Sequence, residues 1–386
     1  MARKRKISIA VEGLSLAREH FSGVGHYALG ISKGLEKIAE LDSSVELKVT
    51  IPFRMVDGLN RHGLSSYKLV KLPVLNRLVP RLLNKGLMPP VDLFTRRSVL
   101  FFPDFVIFPT IFAKRIVVIH DLSFELVPEF VDSGNAKFLS RHVASAVKKA
   151  DVVIGVSDFT SRSIVEHYGV PRNKVQTIPN GVEREHFYKR SKEEVEYVKA
   201  KYGINGDYIM FLGNLEPRKN LSGLIKAYKL LPKKITDQYA LLLVGASGWL
   251  NSELFRDIQK ARIEGFKIIR PEEYVDDLDT PAVYSGAACF VYPSHYEGFG
   301  IPVIEAMACG VPVVAANNSA ISEVATGAAV MVDNNSPSSI AKGIEEVLSK
   351  EDLRKNLIME GLKRAESYNW IDSARKLVEI VKKVKK

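Results

Sequence analysis

Short apolar runs alternate with amphipathic stretches from one end of the chain to the other. KISIAV (6–11), RIVVIH (115–120), DVVIGVS (151–157) and KVQTIP (174–179) are nearly continuous apolar runs of strand length, as a sheet buried on both faces requires. Between them, GHYALGISKGLEKIAE (25–40), NAKFLSRHVASAVKKA (135–150) and FTSRSIVEHYG (159–169) carry helical spacing. The pattern breaks over 181–207, which holds many charges and no strand-like run. A second series follows: YIMFLG (208–213), YALLLVG (239–245), FKIIR (266–270), AACFVYPS (287–294), VPVVAA (311–316) and AAVMVD (328–333), again separated by helical stretches. Strands alternating with helices predict parallel sheets covered by helices. Two such series predict an α/β protein of two doubly wound, Rossmann-like domains facing a central cleft. The expected boundaries are 1–183, a linker with a surface helix over 184–207, a second domain over 208–368, and a last helix over 369–386.

The stretch HYEGFGIPVIEAMACG (295–310) concentrates the chemistry. It follows the buried strand AACFVYPS, so its loop lies at the carboxyl end of a parallel strand, where open α/β sheets bind ligands. Gly298 and Gly300 allow close approach of backbone N–H groups, and Pro302 suits the first turn of a helix. That helix start offers unpaired N–H groups and a partial positive charge, a site for phosphate or sugar oxygens. Glu297 stands at the entrance of the loop and Glu305 one turn into the helix. Carboxylates accept hydroxyl hydrogen bonds well, which suits vicinal diols. Two such groups with a phosphate site between them describe a nucleotide-sugar.

EGFGIPVIEAMACGVPVV closely resembles the E-x7-E signature of the retaining glycosyltransferases of family four, which have the GT-B fold. The resemblance implies that Glu297 contacts the donor sugar, that Glu305 holds the nucleotide ribose, and that Gly298, Phe299, Gly300 and Ile301 contact sugar and diphosphate. FLGNLEPRKNLSGLIKAY (211–228) carries a second signal. A strand ends at Gly213, placed beside the donor, and the loop that follows holds Arg218 and Lys219. Fixed cations there would stabilise charge building on a departing diphosphate, Arg as a bidentate fork and Lys as a point charge. The family has the same P-R-K-N pattern.

Further resemblances extend the expected site. His120, at the end of VVIHD, matches a histidine near the donor sugar in the family. Gly23 and Gly25 of FSGVGHY resemble the glycine loop of the first domain, near diphosphate and acceptor. Tyr274 and Val275, in RPEEYVDDLDTPAVYSGA (270–287), match the loop that reads the nucleotide base. YNWIDSARKL resembles the family's last helix, which packs back toward the first domain. The string HDLSFELVPEF looks most like mannosyltransferases using GDP-mannose, with UDP-hexose the alternative. Retention of configuration, no metal and no cofactor beyond the donor substrate are implied. Asp277-Leu278-Asp279 spells D-x-D but sits where a helix start already favours acids, so the expected metal set is none.

Charge adds one question. The 386 residues carry 55 Lys and Arg against 44 Asp and Glu, a formal charge of +11 that favours an anionic partner. In LPVLNRLVPRLLNKGLMPP (72–90), Arg77, Arg81 and Lys85 recur at four-residue spacing, the pattern either of a basic interfacial helix kinked by Pro80 and facing acidic lipid or of a core-facing helix with a solvated basic side. A lipid-linked or other glycan acceptor at the inner face of the membrane fits the interfacial reading. A nucleic-acid partner is not expected, because the patch is rich in Leu and Val rather than interleaved with aromatics. Glycosidase chemistry by Glu297 and Glu305 would leave the cations at 218–219 unused. The two cysteines, Cys289 and Cys309, lie in apolar runs and read as core residues of a cytoplasmic protein.

Overall fold

The computed structural model describes residues 6–17, 23–53, 63–96, 98–246 and 252–385. They form two compact units, one of residues 1–122, 137–181 and 369–386, the other of 123–136 and 182–368.

The first unit is built on a seven-stranded parallel sheet of order β3-β2-β1-β4-β5-β6-β7. Its strands are β1 Ile7–Glu12, β2 Val45–Phe53, β3 Tyr67–Leu75, β4 Val99–Phe102, β5 Arg115–Ile119, β6 Val152–Gly155 and β7 Val175–Thr177. β1, β4 and most of β5 and β6 are buried throughout, so nearly every position is apolar. β2, β3 and β4 add to the strands expected from the apolar runs. β2 and β3 escape that reading because β3 is the edge strand and β2 its neighbour, and polar residues interrupt the apolar ones in both. Glu46 on β2 pairs with Lys68 on β3 at 2.8 Å, and Lys48 donates to the carbonyl of Thr95 at 2.7 Å. Pro73 is tolerated because β3 is an edge strand.

The basic helix expected over 72–90 does not form as one element. Residues 72–75 pair with β2 as part of β3, Asn76–Leu78 make a single 3-10 turn, and the helix spans only Val79–Asn84. Pro80 lies in its first turn, the place where a missing N–H costs nothing, so it starts this helix instead of kinking a longer one. Arg77, Arg81 and Lys85 are exposed, but they belong to a turn, a helix and a helix end.

The last helix, Trp370–Val384, packs on the helix Gly23–Leu41. Two glycines admit it. A Cβ on Gly30 would stand 2.1 Å from Trp370 Cε2, and one on Gly34 would stand 2.4 Å from the Trp370 carbonyl oxygen. Ser373 Oγ donates to the carbonyl of Pro179 at 2.7 Å.

The second unit holds a six-stranded parallel sheet of order β10-β9-β8-β11-β12-β13. The strands are β8 Asp207–Leu212, β9 Tyr239–Val244, β10 Ile268–Ile269, β11 Cys289–Tyr292, β12 Val313–Ala316 and β13 Val330–Val332. Residues 184–207, expected as a linker with a surface helix, group with this unit. Their helix, Lys192–Lys201, begins with a reciprocal Ser191–Glu194 capping box and packs against the helix Thr280–Ser285. Residues 123–136, placed by sequence in the first domain, also group with the second unit, where Phe130 stacks on His295 with ring centroids 4.3 Å apart and planes 5° from parallel.

Candidate active site

The chemistry gathers where β8 and β11, neighbours in the second sheet, end side by side. After β8 the chain turns through Pro217–Lys219, and Asn220 enters the following helix in a left-handed conformation. After β11 it turns through Pro293–Gly300 into the helix Ile301–Ala308. Gly300 caps that helix at φ 98°, a conformation a side chain would strain.

Arg218, Lys219 and Glu297 meet directly. Lys219 Nζ lies 2.5 Å from Glu297 Oε1 and 2.9 Å from the Tyr292 hydroxyl. Arg218 Nη1 lies 3.0 Å from Glu297 Oε2 and donates to the Tyr296 carbonyl at 2.8 Å, while Nη2 pairs with Glu216 at 2.8 Å. Two acids and two bases thus close a neutral cluster. Burial alone would raise the Glu297 pKa, but the charges of Arg218 and Lys219 outweigh it and hold the carboxyl at about 2. Burial and the neighbouring Arg218 lower the pKa of Lys219, against the pull of Glu297 and Glu216.

The backbone around this cluster is held from several sides. The Glu297 N–H donates to Ser319 Oγ at 3.0 Å and its carbonyl accepts from the Ala320 N–H at 3.3 Å. The His295 N–H donates to the Arg218 carbonyl at 2.8 Å, joining the two loops. Asn334 Nδ2 lies 2.9 Å from His295 Nδ1. An amide nitrogen only donates, so Nδ1 accepts and the ring is neutral. Burial lowers the His295 pKa, in agreement.

Glu305 is outside the cluster. It accepts from the Tyr284 hydroxyl at 3.1 Å. Burial pushes its carboxyl up to about 7, the Tyr284 bond opposes the rise, and the negative charges of Asp277 and Glu183 add to it. The surroundings thus push the two glutamates in opposite directions. A split of that kind also suits an acid and a nucleophile in glycoside hydrolysis. Here, however, both oxygens of Glu297 are engaged by cations.

The other expected residues fall in several places. Gly298, Phe299, Gly300 and Ile301 form the loop and helix start beside Glu297, with Phe299 edge-on to Tyr368 at 5.3 Å. Gly213 directly follows β8. In the loop after β10, Val275 is buried and Tyr274 exposed, its hydroxyl 3.3 Å from Asp277 Oδ1. His120 follows β5 in the first unit, its Nε2 2.7 Å from the Pro103 carbonyl and its ring edge-on to Tyr27 at 4.9 Å. Gly23 and Gly25 do not form a loop: both lie in the first turn of the helix Gly23–Leu41, and neither has a positive φ. Residues 18–22, which precede them, lie outside the described residues. In the D-x-D string, Asp279 takes bonds from Lys201 and Tyr202, which makes it part of the fold.

Tyr284, Tyr292, His295, Asn334, Ser319 and Phe130 belong to the site's surroundings but were not singled out by sequence. Tyr284 and Tyr292 read as apolar positions of a helix and a strand; their hydroxyls meet partners on other elements.

Residues 77–186 match the family described as Glycosyltransferase Family 4, and residues 196–364 that described as Glycosyl transferases group 1. O-antigen chain mannosyltransferase B of Escherichia coli is 30% identical over 360 residues, covering 90% of this chain and 93% of that enzyme. The chain belongs to glycosyltransferase family 4. The glycosyltransferase is also 27% identical to the serotype-specific mannosyltransferase WbdA of Escherichia coli over 272 residues, 69% of this chain and 33% of that protein. Among solved structures, HepE of Anabaena in complex with UDP and glucose superposes with a TM-score of 0.71 at 18% identity, covering 97% of this chain and 99% of that one. At that identity the likeness shows the fold, which is GT-B. As a family 4 member the glycosyltransferase is a retaining, metal-independent hexosyltransferase that takes a nucleotide-sugar donor.

Proposed function

We propose that this glycosyltransferase moves mannose from GDP-mannose to a hydroxyl of a glycan, lipid-linked or free, with retention at the anomeric carbon. The nearly full-length relation to an O-antigen chain mannosyltransferase supports mannose. The observation that carries the mechanism is the convergence of Arg218 and Lys219 on Glu297 at the ends of β8 and β11. In this reading Glu297 fixes both cations and accepts hydrogen bonds from the donor sugar. Arg218 and Lys219 then stabilise the negative charge that develops on the diphosphate as the sugar–phosphate bond breaks. Glu305 takes the ribose diol, the 298–301 backbone takes sugar and diphosphate oxygens, and Tyr274 and Val275 lie beside the base. His120 is a donor-sugar contact. The acceptor hydroxyl attacks on the face the diphosphate leaves, and a diphosphate oxygen receives its proton.

A thermal-shift panel of GDP-mannose, UDP-glucose and ADP-glucose tests the donor. GDP-mannose should give the largest rise in Tm, and NMR of the transferred sugar should show the α-configuration of the donor. A larger rise with UDP-glucose would overturn the mannose assignment.

A further inference from the structure

We propose that the amino edge of the first sheet is a docking surface for anionic lipid membranes, with the Ile111–Phe112 tip as its inserting element. Phe112 is 87% exposed and Ile111 55%. The tip is held out by a backbone device. The N–H groups of Ile111, Phe112 and Ala113 lie 3.0, 2.7 and 3.0 Å from Asp92 Oδ2, and the Val91 N–H donates to the Pro109 carbonyl at 2.9 Å. Leu93, 57% exposed, and Phe94, 37% exposed, follow Asp92 directly. Four large apolar side chains thus face solvent from two segments locked to one another. Singly exposed apolar residues are ordinary; a rigid group of them marks an interaction site.

The charge around the tip selects the partner. The strands of this sheet are parallel, so their amino ends share one edge. Lys6 precedes β1, Arg96 precedes β4, Lys114 precedes β5, and Lys148 and Lys149 end the helix before β6. Lys385 reaches the same edge, donating to the Lys6 carbonyl at 2.7 Å. The acids at this edge are engaged: Asp92 by the three N–H groups, Asp151 by Lys114 at 2.9 Å and the Arg115 N–H at 2.9 Å, Glu46 by Lys68 at 2.8 Å, and Asp42 by the Ser44 N–H at 3.0 Å; Lys6, Arg96, Lys148, Lys149 and Lys385 then carry the basic excess once Lys114 is paired. An apolar tip within a basic field matches the boundary between acyl chains and acidic headgroups. Among the described residues no helix is long and apolar enough to cross a membrane, so this contact is peripheral. The Ile111–Phe112 tip precedes β5 and His120 follows it. β5 has five residues, about 17 Å at the usual strand rise.

Flotation of the full chain with vesicles tests this, using phosphatidylcholine alone and phosphatidylcholine with 30% phosphatidylglycerol. Binding should be at least about fivefold greater on the acidic vesicles and weaken in high salt. Ile111→Ser with Phe112→Ser should lower the apparent affinity by at least about tenfold. Phe112→Trp should bind and be quenched by lipids brominated along the acyl chain. Transfer to a water-soluble acceptor should stay within about twofold in the double variant, because the tip is outside the proposed donor site. Equal binding to both vesicles, unchanged binding by the double variant, or no quenching would overturn the proposal. So would a dimer in solution that the double variant dissociates, since the tip would then cover a second copy.

Discussion

Lys219 and Glu297 form an ion pair in the interior of the second unit, 2.5 Å apart and each 7% exposed. Removing one partner of such a pair leaves a buried charge uncompensated, at a cost of about 3–5 kcal/mol, whereas replacing both is far less costly. Glu297→Gln and Lys219→Met should therefore each destabilise strongly in chemical denaturation. The double variant should regain much of the lost stability. It should not regain transfer activity. Recovery of both together would make the pair structural only.

Glu305 gives the proposed donor site a pH dependence. Its carboxyl sits at about 7 against an ordinary 4.5. The raised value means that this group's contribution to folding is fully present below about 4.5 and declines as pH rises through about 7. Glu297, held at about 2, acts oppositely: its contribution is present above about 4.5 and is lost as pH falls toward about 2. Ribose hydroxyls donate hydrogen bonds, so they favour ionised Glu305. Calorimetric affinity for GDP-mannose should rise between pH 6 and 8 with release of a proton, and Glu305→Gln should bind more weakly with a flat profile. The same slope in the variant would remove Glu305 from donor recognition.

The Phe130–His295 stack ties residues 123–136 to the loop that carries Glu297. Aromatic pairs of this kind contribute about 0.5–1.5 kcal/mol beyond buried area. Phe130→Ala should lower kcat by about two- to tenfold while donor affinity changes less. NMR titration of His295 should show its depressed pKa returning toward the usual value as the ring gains water, and Phe130→Tyr should restore both readouts. An unmoved His295 titration in Phe130→Ala would show that the stack does not shield the ring.

Trp370 and Gly30 should prove strongly coupled. Trp370→Ala should cost about 3–5 kcal/mol as a core truncation. Gly30→Ala forces a methyl group to 2.1 Å from the indole, which should destabilise by about 1–3 kcal/mol or more. In a Trp370→Ala background the same Gly30→Ala change should be nearly harmless. Additive costs in urea denaturation would place the clash elsewhere.

These residues also show what the sequence could and could not reveal. Continuous apolar runs such as β5, β8 and β11 announce themselves because both faces of the sheet are covered. β2 and β3 mix Glu46, Lys48 and Lys68 into their pattern because they approach the sheet edge, and a proline and a basic spacing then imitate a helix over 72–90. Glu297, Glu305, Arg218 and Lys219 stand out in the sequence by their place between buried strands and helix starts, and the structure brings three of them, Arg218, Lys219 and Glu297, into contact. That Glu297 pairs with both cations while Glu305 does not was beyond spacing arguments. It depends on side-chain reach across two strands. Phe130 lies far from His295 in sequence, and no local pattern links them. Gly23 and Gly25 lie inside the first turn of a helix and not before it, a difference the sequence does not show because a glycine pair reads alike in either place.

The central claim is that Lys219, fixed by Glu297, stabilises the departing diphosphate. Single-turnover cleavage of saturating GDP-mannose, followed in the unaltered enzyme and in Lys219→Ala, tests it most directly. The account predicts a rate at least about tenfold lower in the variant, with donor affinity changed much less. An unchanged cleavage rate in a folded Lys219→Ala enzyme would contradict it.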